Sequence, residues 1–265
     1  MIPDCAGGAI ATPPDWRRAL ADALRDPDAL LRALGLDGCP ERVAAARRAA
    51  ERFGLLVPRG YLARMRPGDP DDPLLRQVLP LAEELETHPG YGPDPVGDQA
   101  ARIAPGLLHK YTGRALLLAT GACAVHCRYC FRRAYPHAES GTGRRHWARA
   151  FDRLAADPSI EELILSGGDP LTLTDTALAE LFERAAALPR LRRLRIHTRL
   201  PVVLPERVDD GLCALLAASR LPVVMVVHAN HSSGTRRPCR RRDAAPARRL
   251  PGGVQPGRAA RRCQR

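Results

Sequence analysis

From Arg114 onward, short apolar runs alternate with longer stretches in which apolar residues recur every three or four positions. Compact apolar runs read as strands and the wider spacing as amphipathic helix. This rhythm predicts strands at 115–120, 162–166, 194–198 and 222–228, with helices near 144–156, 174–187 and 205–218. Strands separated by helices imply parallel βαβ units. Upstream the pattern changes. Residues 14–50 are rich in Ala, Leu and Arg with helical periodicity, interrupted near Pro27, Gly35 and Pro40. Residues 58–106 carry many Pro, Gly and Asp residues, which predicts an irregular wrapping segment with a helix near 73–86. The expected organisation is an N-terminal helical and wrapping region over 1–113, an α/β region over 114–231 and a tail over 232–265. The longest apolar run, Leu221 to Val227, falls well short of the ~18 residues needed to span a membrane. No N-terminal basic–apolar–cleavage pattern is present, so the expected location is the cytosol.

Charge divides the chain differently. The sequence has 41 basic and 29 acidic residues, a net charge of +12 that would ordinarily suggest a polyanionic partner. Residues 232–265 hold 11 arginines and one aspartate, leaving 30 basic and 28 acidic side chains in the body. The body is therefore nearly neutral and carries no nucleic-acid signal. Lys110 is the only lysine beside 40 arginines, which points to a GC-rich coding sequence.

Candidate chemistry begins in TGACAVHCRYCFRRAYP, where Cys123, Cys127 and Cys130 follow the first predicted strand of the α/β region. Parallel α/β folds place their chemistry at such strand ends. Three thiolates are one fewer than a closed zinc site or a fully ligated cubane requires. On a 4Fe-4S cluster they leave one iron open to bind and reduce a substrate. Zinc knuckles, disulfides and chance clustering are the competing readings. No second CxxC pair exists, and Cys5, Cys39, Cys213, Cys239 and Cys263 are isolated. Tyr129 and Phe131 suit a shielded cluster better than a hydrated knuckle. Gly167, Gly168 and Asp169 follow the next strand, although SGGDP is also an ordinary turn sequence.

CxxxCxxC with an aromatic before the last cysteine resembles radical S-adenosylmethionine (SAM) enzymes. The longer CAVHCRYCFRR is similar to the lysine 2,3-aminomutase family, in particular its branch that serves elongation factor P. DPDDPLLRQVLP (69–80), PGLLHKYTGRALLL (105–118), SGGDPL (166–171), RIHTRLPVVLPERV (195–208) and HANH (228–231) resemble that family in order, so the likeness covers roughly 50–231. It implies a six-stranded (β/α) barrel, of which about four strands are expected here as a partial barrel. It implies an isomerase that moves the amino group of lysine from C2 to C3, with a 4Fe-4S cluster, SAM and pyridoxal 5′-phosphate (PLP). Lysine would be the substrate and elongation factor P a functional partner; an oligomer is compatible, a membrane or nucleic-acid partner is not expected.

Residue by residue, the resemblance makes Cys123, Cys127 and Cys130 the cluster ligands and Gly167–Asp169 the SAM motif. Arg132 would bind the substrate carboxylate, as a bidentate guanidinium can. His109, Lys110, Tyr111 and Arg114 match the stretch near PLP, with Tyr111 and Arg114 as its binding residues. Structural packing is the equal alternative there. His197, Arg199, His228 and His231 are pocket candidates at strand ends. The family anchors PLP on a C-terminal lysine, and this sequence has none after Lys110.

The tail has no periodicity. Shifting Gly234 to Pro238 by one base permits ELDA, and Val254 to Arg265 in the same frame permits FNQAVLLAGVN, which resembles the family's next strand. The tail is therefore expected to be out of frame and disordered, with the chain short of two barrel units, of low stability and without aminomutase turnover. The alternatives are a PLP-independent radical SAM enzyme and a non-catalytic RNA or translation-machinery binder acting through a natural arginine-rich tail.

Overall fold

A computed structural model of the chain describes residues 15–235. Of the tail expected to be disordered, 232–265, Ser232–Thr235 form a 3-10 turn instead, and 236–265 lie outside the described residues.

The architecture is mixed α/β around one six-stranded sheet in the order β1-β2-β3-β4-β5-β6. The four expected strands are its parallel part: β3 (Arg114–Thr120), β4 (Glu162–Gly167), β5 (Arg193–Thr198) and β6 (Val223–Val227). Residues Glu162 to Ser166 of β4 are all buried, which explains their continuous apolar run in place of alternation. The four-strand expectation needs correction. Two antiparallel strands, β1 (Arg102–Ala104) and β2 (Leu107–Tyr111), extend the sheet beside β3. His109, Lys110 and Tyr111 therefore lie on a strand and not ahead of the first one. The turn Thr112-Gly113 joins β2 to β3 with Tyr111 opposite Arg114, and Gly113 supplies the positive φ of 79° that a two-residue hairpin needs.

Helices fill the parallel connections. Helices α1 (Trp16–Ala21), α2 (Pro27–Ala33), α3 (Pro40–Arg52) and α4 (Arg59–Leu62) precede the sheet, and α5 (Trp147–Ala155) links β3 to β4. Trp147 is buried and its indole Nε1 donates to the Ala119 carbonyl at 3.2 Å, fixing α5 on β3. Helix α6 (Asp175–Ala186) starts where Thr174 caps the Ala177 amide. The single helix expected near 205–218 divides into a 3-10 turn at Pro205–Arg207 and α8 (Asp210–Ala217), and a short α7 (Leu200–Val203) precedes them. Asp209 causes the break: its backbone is extended, and its side chain accepts from the Leu212 amide at 2.8 Å. The helix expected near 73–86 is also absent, replaced by 3-10 turns at Leu75–Gln77 and Ala82–Leu85, because Pro80 between them has no amide to donate. Pro27 and Pro40 open helices instead of interrupting them, since a first-turn residue needs no amide partner.

The N-terminal helices share the sheet's core. Arg207 is fully buried, donates to the Leu171 carbonyl at 2.8 Å and Asp175 at 2.7 Å, and sits 4.8 Å from the Trp16 ring centroid. Among the described residues, no helix is long and apolar enough to cross a membrane.

Candidate functional site

Because β3 to β6 run parallel, their C-terminal ends meet at one edge of the sheet. The β3–β4 register shifts between Leu118 and Thr120, so the chain leaves β3 through an irregularity just before the cysteines. A cavity of about 390 Å³ opens there. Cys123, Cys127 and Cys130 border it from the β3 loop, Gly167 to Asp169 from β4, His197 to Arg199 from β5 and His228 from β6. Arg132, Ser166 and Tyr129 complete its polar wall.

All three cysteines are free and half-buried. Among the described residues, no three His, Cys, Asp or Glu side chains converge closely enough for one metal ion. Zinc would gather thiolates at ~2.3 Å around a point. Three thiols bordering one cavity can each serve a different iron of a cube. Burial pushes the Cys123 thiol far up, with Asp169 and the other cysteines acting in the same direction. Burial also raises Cys130, against the Arg132 amide. Metal binding must therefore displace protons from these thiols.

The loop carrying the cysteines is pinned from a distance. Arg128 donates to both oxygens of Glu84, at 2.8 and 2.5 Å, and to the Phe53 carbonyl at 2.8 Å, and its guanidinium lies 4.9 Å from the Phe53 ring centroid. Arg133 reaches the same Glu84 at 2.7 Å. His126 Nδ1 lies 2.9 Å from the Gly54 carbonyl, and its ring stacks on Phe53 at 5.0 Å. Sequence reasoning missed Glu84, His126 and Arg128.

The glycine run docks onto this loop. The Gly168 amide donates to Thr120 and the Asp169 amide to Ala122, both at 2.7 Å. A Cβ at Gly168 would lie 2.1 Å from the Ala122 carbonyl oxygen, and one at Gly167, with φ +118°, 2.3 Å from that of Thr120. The glycines thus let the β4 exit approach the cysteine loop backbone-to-backbone. Gly168→Ala should lower stability by about 2–3 kcal/mol, the range of forced overpacking, and shift the cysteine loop. Urea unfolding checks it, and a change below ~0.5 kcal/mol, the surface-substitution range, would contradict it.

Asp169 offers little to a ligand. Each of its oxygens already accepts two hydrogen bonds, Oδ1 from Thr198 Oγ1 (2.7 Å) and the Leu171 amide (3.1 Å), Oδ2 from the Arg199 (2.7 Å) and Leu200 (3.1 Å) amides. Burial raises its carboxyl, opposed by the Thr198 hydroxyl and these amides. It ties the β4 exit to the β5 exit.

Arg132 stands between two cavities. Its Nε donates to Asp98 at 2.7 Å and its Nη1 to Ser166 Oγ at 3.2 Å. The second cavity, about 230 Å³, is bordered by Arg132, Asp98, Lys110, Tyr111, Arg114 and Phe131. Lys110 on β2 donates to the Val96 carbonyl at 2.6 Å and to the buried Asp98, which thereby bridges both cations. His109 borders neither cavity and lies 3.9 Å from Asp157. His231 is exposed and accepts from the Ser233 amide at 3.1 Å. His197 borders the larger cavity, and its Nε2 is buried without a partner. His228 sits edge-on to Tyr129, with ring centroids 5.7 Å apart.

Residues 112–191, which include all three cysteines and the glycine run, match the family described as a 4Fe-4S single cluster domain. Over 219 residues, 83% of this chain, the sequence is 48% identical to an L-lysine 2,3-aminomutase of Escherichia coli. Over that span the chain is similar to the L-lysine 2,3-aminomutases. A second aminomutase, from Haemophilus influenzae, is 45% identical over 82% of the chain, and one from Bacillus subtilis 32% over the same share. The chain spans 64% of the length of the first two aminomutases and 46% of the third.

Proposed function

We propose that the larger cavity is the cluster and SAM site of a lysine 2,3-aminomutase, with β3 to β6 forming a partial (β/α) barrel of radical SAM type. The observation that carries this reading is the convergence of Cys123, Cys127 and Cys130 with Arg132 on one cavity at the ends of parallel strands. The three thiolates would hold the cluster, and the backbone of Gly167 and Gly168 would border SAM. When bound, the cluster supplies an electron to SAM for hydrogen abstraction from carbon, and PLP holds the migrating amino group. Arg132 keeps Nη2 for a substrate carboxylate while Asp98 and Ser166 fix its plane. Tyr129 and Phe131 flank the cavity. A product β-lysine destined for elongation factor P, and a cytosolic setting for an oxygen-sensitive cluster, follow from the family likeness.

PLP fits this chain only in part. Tyr111 and Arg114 offer a ring and a cation at the smaller cavity. Lys110, the only lysine, is held by Asp98 and Val96 and does not reach a free position from which to anchor it. We therefore expect the 265-residue chain, reconstituted anaerobically with iron, sulfide and reductant and supplied with SAM, PLP and lysine, to cleave SAM to 5′-deoxyadenosine without making β-lysine. Mass spectrometry of both products tests this. No cluster signal responding to SAM overturns the site; β-lysine overturns the reading of Lys110; another modified product favours a PLP-independent radical SAM enzyme.

A further inference from the structure

Arg199 is 6% exposed, yet none of the ion pairs among the described residues involves it. A buried guanidinium is costly unless something anionic faces it. Its Nη2 donates to the Tyr61 hydroxyl at 3.1 Å and to Gln77 Oε1, both neutral oxygens. The Tyr61 and Tyr129 rings lie 5.7 and 5.4 Å from its carbon, again without charge. Its Nη1 donates to Cys127 Sγ, the one partner that becomes an anion when it binds iron. The placement is not a loose surface contact. The Arg199 amide is fixed by Asp169 at 2.7 Å, immediately after β5, so backbone and side chain are both held.

We propose that Arg199 is a positioning residue for the cluster: it sets the orientation of Cys127 and raises the reduction potential of the iron-sulfur group that this cysteine holds. The inference rests on the cluster reading of the site. Adding an electron to a cluster adds negative charge, and a cation hydrogen-bonded to one of its thiolates stabilises that reduced state more than the oxidised one. Hydrogen bonds to cluster sulfurs are among the levers that spread such potentials. Tyr61 and Gln77 keep the guanidinium from turning away. They couple the region before the sheet to the redox group, which a chain beginning at β3 would lack.

The test uses the full 265-residue chain, reconstituted anaerobically with iron and sulfide, as wild type, Arg199→Gln and Arg199→Lys. Midpoint potentials come from dithionite titration followed by electron paramagnetic resonance, on samples matched for iron and sulfide content. Arg199→Gln keeps a donor and removes the charge; its one-electron equilibrium should move at least tenfold toward the oxidised cluster, about 59 mV lower. Arg199→Lys keeps the charge and loses the planar fork, so its potential should fall by less. A potential and spectrum for Arg199→Gln identical to wild type overturn the inference and leave the cluster reading intact. If that variant does not fold, Arg199→Lys decides, with an unchanged potential and spectrum against the inference and a lowered potential for it. Wild-type chain that takes up no iron and sulfide overturns both.

Discussion

Cys127→Ser should leave reconstituted protein with roughly an order of magnitude less iron and acid-labile sulfide than wild type, and Cys123→Ser and Cys130→Ser should do the same. The three half-buried thiols border one cavity on a loop pinned at Glu84, Phe53 and Gly54. A rigid loop cannot bring a substitute ligand forward when one sulfur is lost. A serine hydroxyl is a hard, weakly acidic donor, unsuited to the soft sites where thiolates bind iron-sulfur groups. Two thiolates then remain for a group that has only three to begin with. Cys213→Ser is the control. That residue lies on α8, is half-buried and borders neither cavity, so iron content should not change. Full iron retention by any of the three loop variants would refute the assignment.

What the sequence disclosed about this site was its local part. The cysteines and the glycine run are readable because each is a compact local string, strands β3 and β4 betray themselves by apolar runs and β5 by its alternation. Strands β1 and β2 escaped notice because β1 sits in a segment of Pro, Gly and Asp and β2 follows it directly, with the turns Pro105-Gly106 and Thr112-Gly113 as the hairpin signals. The partners of Arg128, Arg132 and Arg199 are 34 to 138 residues away in the chain. Among 40 arginines, resemblance marked Arg132 and a strand-end position marked Arg199, while nothing distinguished Arg128 from those that merely face water. Asp98 was invisible for the same reason. Its role exists only once β2 and the cysteine loop lie side by side.

Asp169 shows how far such a hidden role extends. It was read as part of a cofactor motif, and its oxygens are instead filled by four donors from the β5 exit and its own turn. Asp169→Ala would strand the buried Leu171 and Arg199 amides, leave the Leu200 amide only Thr198 Oγ1 and take the acceptor from the Thr198 hydroxyl. Each orphaned buried donor is worth about 1–3 kcal/mol, so the loss should reach about 4 kcal/mol after partial relaxation. That is a large share of the ~5–15 kcal/mol that holds a typical domain together. For a chain of this size it corresponds to a melting point lower by about 8–16 °C. Asp169→Asn should recover only part of the loss, because its amide group presents hydrogens to neighbours that are themselves donors. Thr198→Ala removes the bond to Asp169 and one of the two acceptors of the Leu200 amide, which keeps Asp169 Oδ2, and should cost only about 1 kcal/mol. Urea unfolding of the metal-free protein under reducing conditions separates these effects from cluster binding. If Asp169→Ala and Thr198→Ala were equally mild, the carboxylate would not be the tie between β4 and β5. The placement of Arg199, whose amide depends on that tie, would then need another cause.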